Sequence, residues 1–265
     1  MNEADIIKTD GKYIYCVDRD YSWKSKVVVF SADGKDSRKV AEIDAFHEAD
    51  AASRDEAEEW DYYTKNRRIT DMYLKDDRLI VICGDFTNHG SHSIDMSHVR
   101  VYDISDIENI SLIDTFTQSG AYASGRMIGD MLYLVSSFVS NDGEVIPACG
   151  KNAEPAPIPA DCIYATMDAD TPEFLVISAY DTSNRDSRTV TKSILGRVDD
   201  IYCNLDHLYL YSTEYGDSWY NSGLSWKSID EFDVRTQIIK VDLSDDIAFS
   251  AYTEVNGMVD DQYAF

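Results

Sequence analysis

Four times along the chain, a turn containing Asp leads into a β-branched and aromatic run of strand length. The four are Asp10-Gly-Lys-Tyr-Ile-Tyr-Cys-Val17, Asp76-Asp-Arg-Leu-Ile-Val-Ile-Cys83, Gly129-Asp-Met-Leu-Tyr-Leu-Val-Ser136 and Leu205-Asp-His-Leu-Tyr-Leu-Tyr-Ser212. A run of this composition behind an Asp or Gly turn is a strand signal. A second run follows each one: Lys26-Val-Val-Val-Phe-Ser31, His98-Val-Arg-Val-Tyr-Asp103, Leu175-Val-Ile-Ser-Ala-Tyr-Asp181 and Gln237-Ile-Ile-Lys-Val-Asp242. Third, more polar segments occupy 38–44, 111–117, 188–195 and 247–254, and a short strand precedes each first run at 4–9, 69–74, 123–128 and 200–204.

Recurrence of one strand order is what an account of this chain must explain. Four units of four antiparallel strands fit it, and only the acidic stretch 50–60 carries helical periodicity. Near-continuous apolar runs in the first strands mean that both sheet faces are buried, as when sheets stack face to face. A four-stranded unit repeated radially is a blade of a β-propeller, whereas a β-sandwich leaves the recurrence unexplained. The expectation is an all-β chain with a blade at 3–44, an acidic connection at 45–68, and blades at 69–120, 121–196 and 197–257. The third blade carries an insertion at 137–173, and 258–265 reads as the start of a further blade. On that reading the chain is the N-terminal part of a larger propeller; a complete four-bladed ring is the alternative.

Several strings add a resemblance. Glu3-Ala-Asp-Ile-Ile-Lys-Thr-Asp-Gly-Lys-Tyr-Ile-Tyr15, Val99-Arg-Val-Tyr-Asp-Ile-Ser-Asp106, Ser119-Gly-Ala-Tyr-Ala-Ser-Gly-Arg-Met-Ile-Gly129 and Ile158-Pro-Ala-Asp-Cys-Ile-Tyr164 are involved. Together they resemble a bacterial family of secreted proteins with a β-propeller domain distantly related to WD-40 repeats. One departure is Gly125, where that family more often has a second Ser, and another is the long acidic connection. The resemblance implies fold and export, hence an extracellular or cell-surface location, and transfers no catalytic residue. Met1-Asn2-Glu3-Ala4-Asp5 lacks a basic and an apolar leader region, so a signal or anchor is expected outside this sequence.

Charge narrows the partners. Lys and Arg number 24 against 49 Asp and Glu, a formal charge of −25, which repels nucleic acid and anionic membranes. The 18 Tyr are too many for a disordered acidic chain. No apolar run reaches the roughly 18 residues of a membrane helix. The partners that remain are an unknown protein or glycan, and a second copy of the chain pairing through an open blade edge.

Strand alternation sends connections alternately to two ends of each sheet. At one end they are tight; at the other lie 18–25, 84–97, 137–173 and 213–235, together with 45–68. All five Pro fall in one of these insertions and all four Trp fall at this end. Loops on a rigid scaffold carry binding residues, and Trp219, Tyr220 and Trp226, among Gly, Ser and Asn, are the candidate ligand-binding residues. These rings also suit packing back onto the blade.

Cys16, Cys83 and Cys203 sit in strand runs as buried thiols. Cys149 and Cys162 share the Pro-rich insertion and are the candidate disulfide, on the order of 3 kcal/mol if the compartment is oxidising. His89, His92, Asp95 and His98 bear metal-ligand chemistry but match no established spacing, and Asp168, Asp170 and Glu173 fall short of a Ca²⁺ ligand count, as does the Asp230 to Asp233 run. No metal is assigned. There is no Gly-x-Ser-x-Gly elbow, no His-Glu-x-x-His, no phosphate-binding Gly loop and no cofactor motif. No catalytic residue is therefore assigned. The reading is a secreted or surface binding scaffold; the alternative is a carbohydrate-active hydrolase or lyase with acids in a central cleft, expected to show two or more converging acids with raised pKa.

Overall fold

Asp turns close the short connections by a local mechanism. Asp10 Oδ1 accepts from the amides of Lys12 and Tyr13 at 2.8 and 2.6 Å, and Asn204 Oδ1 accepts from Asp206 and His207 at 2.9 and 2.8 Å. Asp103 and Asp181, at the ends of their strands, hold the amides of Ser105 and Ser183, each at 2.9 Å. A carboxylate that bonds its own backbone two residues on supplies the turn without a neighbouring strand.

The structure, a computed structural model, describes residues 5–19, 25–46, 65–89, 92–140, 145–152, 154–165, 172–196, 198–215, 234–243 and 247–259. It forms two compact units, Met1–Leu195 and Gly196–Phe265. The described residues contain no helix long and apolar enough to cross a membrane.

The first unit holds three antiparallel meanders. Blade 1 is β1 (Ile7–Thr9), β2 (Tyr13–Arg19), β3 (Ser25–Ser31) and β4 (Lys39–Ile43), in that order. Blade 2 is β5 (Lys65–Lys75), β6 (Arg78–His89), β7 (His92–Asp103) and β8 (Ser111–Ser119). Blade 3 starts with β9 (Ala121–Ile128) and β10 (Met131–Val139), and after the insertion resumes with β14 (Glu173–Asp181) and β15 (Val190–Leu195). The second unit is blade 4: β16 (Asp200–Cys203), β17 (His207–Tyr215), β18 (Val234–Leu243) and β19 (Ile247–Asn256). It buries Cys203, Leu208, Leu210, Val241, Leu243 and Ile247. The fold is the all-β blade arrangement read from the repeats. Even irregularities recur: the fourth strands of blades 1, 2 and 4 each bulge one step past the pair opposite Phe30, Tyr102 and Val241.

Two segments differ from the expectation. Residues 84–89 and 92–97, expected as a loop, are strand: β6 and β7 continue as a ladder to the pair His89↔His92. Asp85, Thr87, Asn88 and His89 give no apolar alternation, so the ladder outlasts the hydrophobic pattern. The insertion also carries strands. Its β11 (Ala148–Lys151) adds to the outer edge of β8 and carries β12 (Ala156–Pro157), while β13 (Ile163–Ala165) runs parallel to β15. The insertion of blade 3 thus extends the outer edges of blades 2 and 3 together, and covers two edges open to unwanted pairing.

The seam between blades 2 and 3 mixes apolar and charged contacts. Phe116 stacks on Tyr180 at 5.3 Å between centroids, and the Tyr180 hydroxyl donates to buried Asp114 Oδ2 at 2.7 Å. Lys151 of the insertion stands 3.7 Å from the same oxygen and 5.2 Å over the Tyr180 ring. Burial comes first among the causes that push the Tyr180 hydroxyl well above its ordinary pKa, followed by the Asp114 bond, so it remains a donor. Tyr180→Phe is expected to lower stability by about 1–3 kcal/mol, because a buried carboxylate loses its neutral donor; an unchanged denaturation midpoint at unchanged slope contradicts this account of the seam.

Candidate functional site

The first strands of blades 1, 2 and 3 meet around one carboxyl group, Asp71. A bulge at Thr70 sets it there: Ile69 pairs with Cys83 and Asp71 with Ile82, leaving Thr70 over. Blade 1 satisfies backbone groups of Ile69 on this edge strand, next to the bulge. Ser25 Oγ accepts from the Ile69 amide at 2.6 Å, and Arg19 Nη2 donates to the Ile69 carbonyl at 3.1 Å. Beside them, Asp5 and Met72 exchange backbone hydrogen bonds of 3.0 and 3.3 Å. Blade 3 has the same bulge at the same place, with Ala123 left over between Tyr122 and Ser124.

Tyr122 reaches from blade 3 and donates to the Asp71 carboxylate, with the Tyr73 hydroxyl adjoining. Gly125 makes this approach possible. A Cβ there would stand 2.9 Å from Tyr73 Oη and 3.1 Å from Tyr122 Oη, so the absent side chain leaves room for the tyrosine pair. Burial raises the Asp71 carboxyl above its ordinary value; the Tyr122 bond opposes this, Asp5 adds to it, and Lys8 and Arg19 oppose it. Burial likewise drives the Tyr122 hydroxyl far above the tyrosine range, helped by Tyr73 and Asp71. Chemically, the cluster is a protonatable carboxyl held by a tyrosine that does not ionise at physiological pH.

Two carboxylates do converge here, yet they differ in availability. Asp5 Oδ1 is engaged by its own chain, accepting from Ile6 and Ile7 at 2.7 and 3.4 Å. No motif marks this cluster in the sequence. Its signal lay in the repeat: Asp71, Ser124 and Asp200 pair with Ile82, Val135 and Tyr211, each the fourth residue of the run beginning at Leu79, Leu132 or Leu208.

The other candidates stand as follows. Trp219, Tyr220 and Trp226, along with Trp23 and Trp60, lie outside the described residues, as do Asp168, Asp170 and the 230–233 run. Asp95 is half-buried, its carboxyl raised by burial against the opposing charge of Arg68, and His98 Nδ1 lies 2.9 Å from Thr117 Oγ1. Among the described residues, no three of His, Cys, Asp or Glu come together as a metal-holding group. Cys83 and Cys203 are buried thiols and Cys16 is half-buried. Cys149 and Cys162, expected as a disulfide, are both free thiols in the structure.

Asp71 links the cluster to pH. Its carboxyl holds a proton to higher pH in the native state than in the unfolded chain, whose value is about 3.9. Raising pH from there through the native value therefore lowers the stability contributed by this group. Relative to wild type, Asp71→Asn should gain stability as pH rises through that window in denaturant titrations; a difference that shrinks with pH contradicts the assignment. Gly125→Ala should cost about 1–3 kcal/mol by overpacking, and Tyr73→Phe in the same chain should return part of it.

Comparison with curated proteins gives no match, and comparison with solved structures gives none. One family model, described as a beta propeller domain, matches residues 1–265. Its match along the full sequence agrees with four meander sheets built on one plan, and the chain belongs to the beta propeller domain family.

Proposed function

We propose that the chain is an exported, extracellular or cell-surface binding scaffold whose ligand is a protein or a glycan. One observation carries this reading: the two ends of each meander are built differently. One end has tight turns closed by Asp or Asn, while the other gives rise to the 20–24, 140–172 and 216–233 connections and the extended β6–β7 hairpin. Rigid sheets with long connections at one end present variable residues at little cost to the fold. Trp219, Tyr220 and Trp226 belong to the third of these connections, and flat rings among small polar residues supply contact area with adaptable hydrogen bonds. Self-association belongs to the same reading: β19 has ten residues, mostly exposed, with no strand beyond it among the described residues.

Glycan and peptide arrays probed with wild type and with Trp219→Ala/Trp226→Ala test the assignment. A wild-type signal that falls at least about ten-fold in the double variant, with an unchanged melting temperature, is the expected result. A signal that survives in the variant, or a clear loss of stability, makes these rings packing residues and removes the binding assignment.

A second reading, a carbohydrate-active hydrolase or lyase, draws on the raised Asp71 carboxyl beside Asp5. It predicts release of reducing ends or unsaturated products from acidic polysaccharides, abolished by Asp71→Asn. The hold of its own backbone amides on Asp5 favours the scaffold.

A further inference from the structure

The insertion between β10 and β14 touches two blades through two separate attachments, and each attachment carries a cysteine. Cys149 lies on β11, opposite Gln118 on the edge of blade 2. Cys162 ends the 3-10 turn Ala160–Cys162 that leads into β13, whose first residue Ile163 pairs with Ser193 on the edge of blade 3. Both thiols pack against one apolar cluster of Phe138, Ile158, Phe174 and Val176. Around them, Cys149 Sγ meets Thr191 Oγ1 at 3.4 Å and Cys162 Sγ meets Lys192 Nζ at 3.9 Å, and both partners belong to β15. Burial raises the Cys149 thiol, Thr191 opposes this, and Cys162 adds to it. The other three cysteines stand on the sheets of blades 1, 2 and 4.

We propose that Cys149 and Cys162 form a reversible thiol–disulfide site that clasps the insertion across blades 2 and 3. The oxidant is a low-molecular-weight disulfide, RSSR. One cysteine sulfur attacks it, forming a mixed disulfide and releasing RSH; the second cysteine sulfur then displaces the other RSH. Two protein thiols are oxidised, one RSSR is reduced to two RSH, and the two thiol protons leave on the released thiols. Oxidised, the two attachments are one covalent loop; reduced, each edge strand can peel from its blade independently. The proposal stands apart from the binding assignment, because it concerns the cohesion of two blades and no ligand.

The test equilibrates the full chain in glutathione buffers of increasing oxidised fraction, then combines alkylation, peptide mapping and limited trypsin cleavage after Lys151. Two thiols should be lost together, yielding a linked peptide pair containing Cys149 and Cys162, and reductant should restore both. Cleavage after Lys151 should slow about ten-fold on oxidation, since the open form becomes rarer. Cys149→Ser and Cys162→Ser should each abolish that difference, and the comparison of oxidised with reduced wild type stands even if one variant folds poorly. Alkylation of both thiols at the most oxidising ratio, a bond to another cysteine, or an unchanged cleavage rate each overturns the proposal.

Discussion

A meander of four strands that is apolar on both faces cannot be stable by itself, because each face must be covered by another sheet. Strand β6 shows how the first unit meets this demand. Leu79, Val81 and Cys83 point into a core shared with Tyr15, Val27 and Val29 of blade 1, while Ile80 and Ile82 point into a core shared with Met127, Leu132 and Leu134 of blade 3. The period of two along a strand thus becomes an alternation between neighbouring blades. A one-residue slip of β6 would exchange the two cores, so the register of blade 2 is fixed from both sides.

Polar groups at the seams follow from the same stacking. A bulge frees backbone groups, and a buried sheet must satisfy them from its neighbour. Blade 1 does so for Ile69 through Ser25 and Arg19. The bulge in blade 3 accompanies Tyr122 into contact with Asp71, and the missing side chain at Gly125 leaves room for two hydroxyl groups. The half-buried acid is therefore produced by the blade geometry, which explains why a repeat position rather than a motif marks it.

Much of the fold was legible because turn chemistry and apolar runs are local. Asp10, Asp103, Asp181 and Asn204 form their turns from their own side chains, and Leu79 or Leu132 needs only a buried face. What was illegible depends on distant partners. Strands β11 and β13 are three or four residues long and hold only because β8 and β15 offer edges to them, so no periodicity announces them. The arms of the β6–β7 hairpin near His89 and His92 have a polar sequence, and a hydrophobic pattern cannot show the backbone ladder they form. Asp71 and Tyr122 were one strand comparison away from view, whereas the ring-rich 216–233 segment lies outside the described residues.

The placement of β11 has a consequence for synthesis. Blade 2 receives its last native strand at Ser119, yet its sheet gains β11 and β12 only when residues 148–157 emerge. During that interval a nascent chain carries β8 as a bare edge, the kind of surface that pairs wrongly in crowded surroundings. Blade 3 cannot close any sooner, since β14 and β15 follow the insertion in the chain. The two sheets therefore overlap in their schedule, and a ribosome pausing between Ser119 and Pro157 would hold both of them unfinished at once.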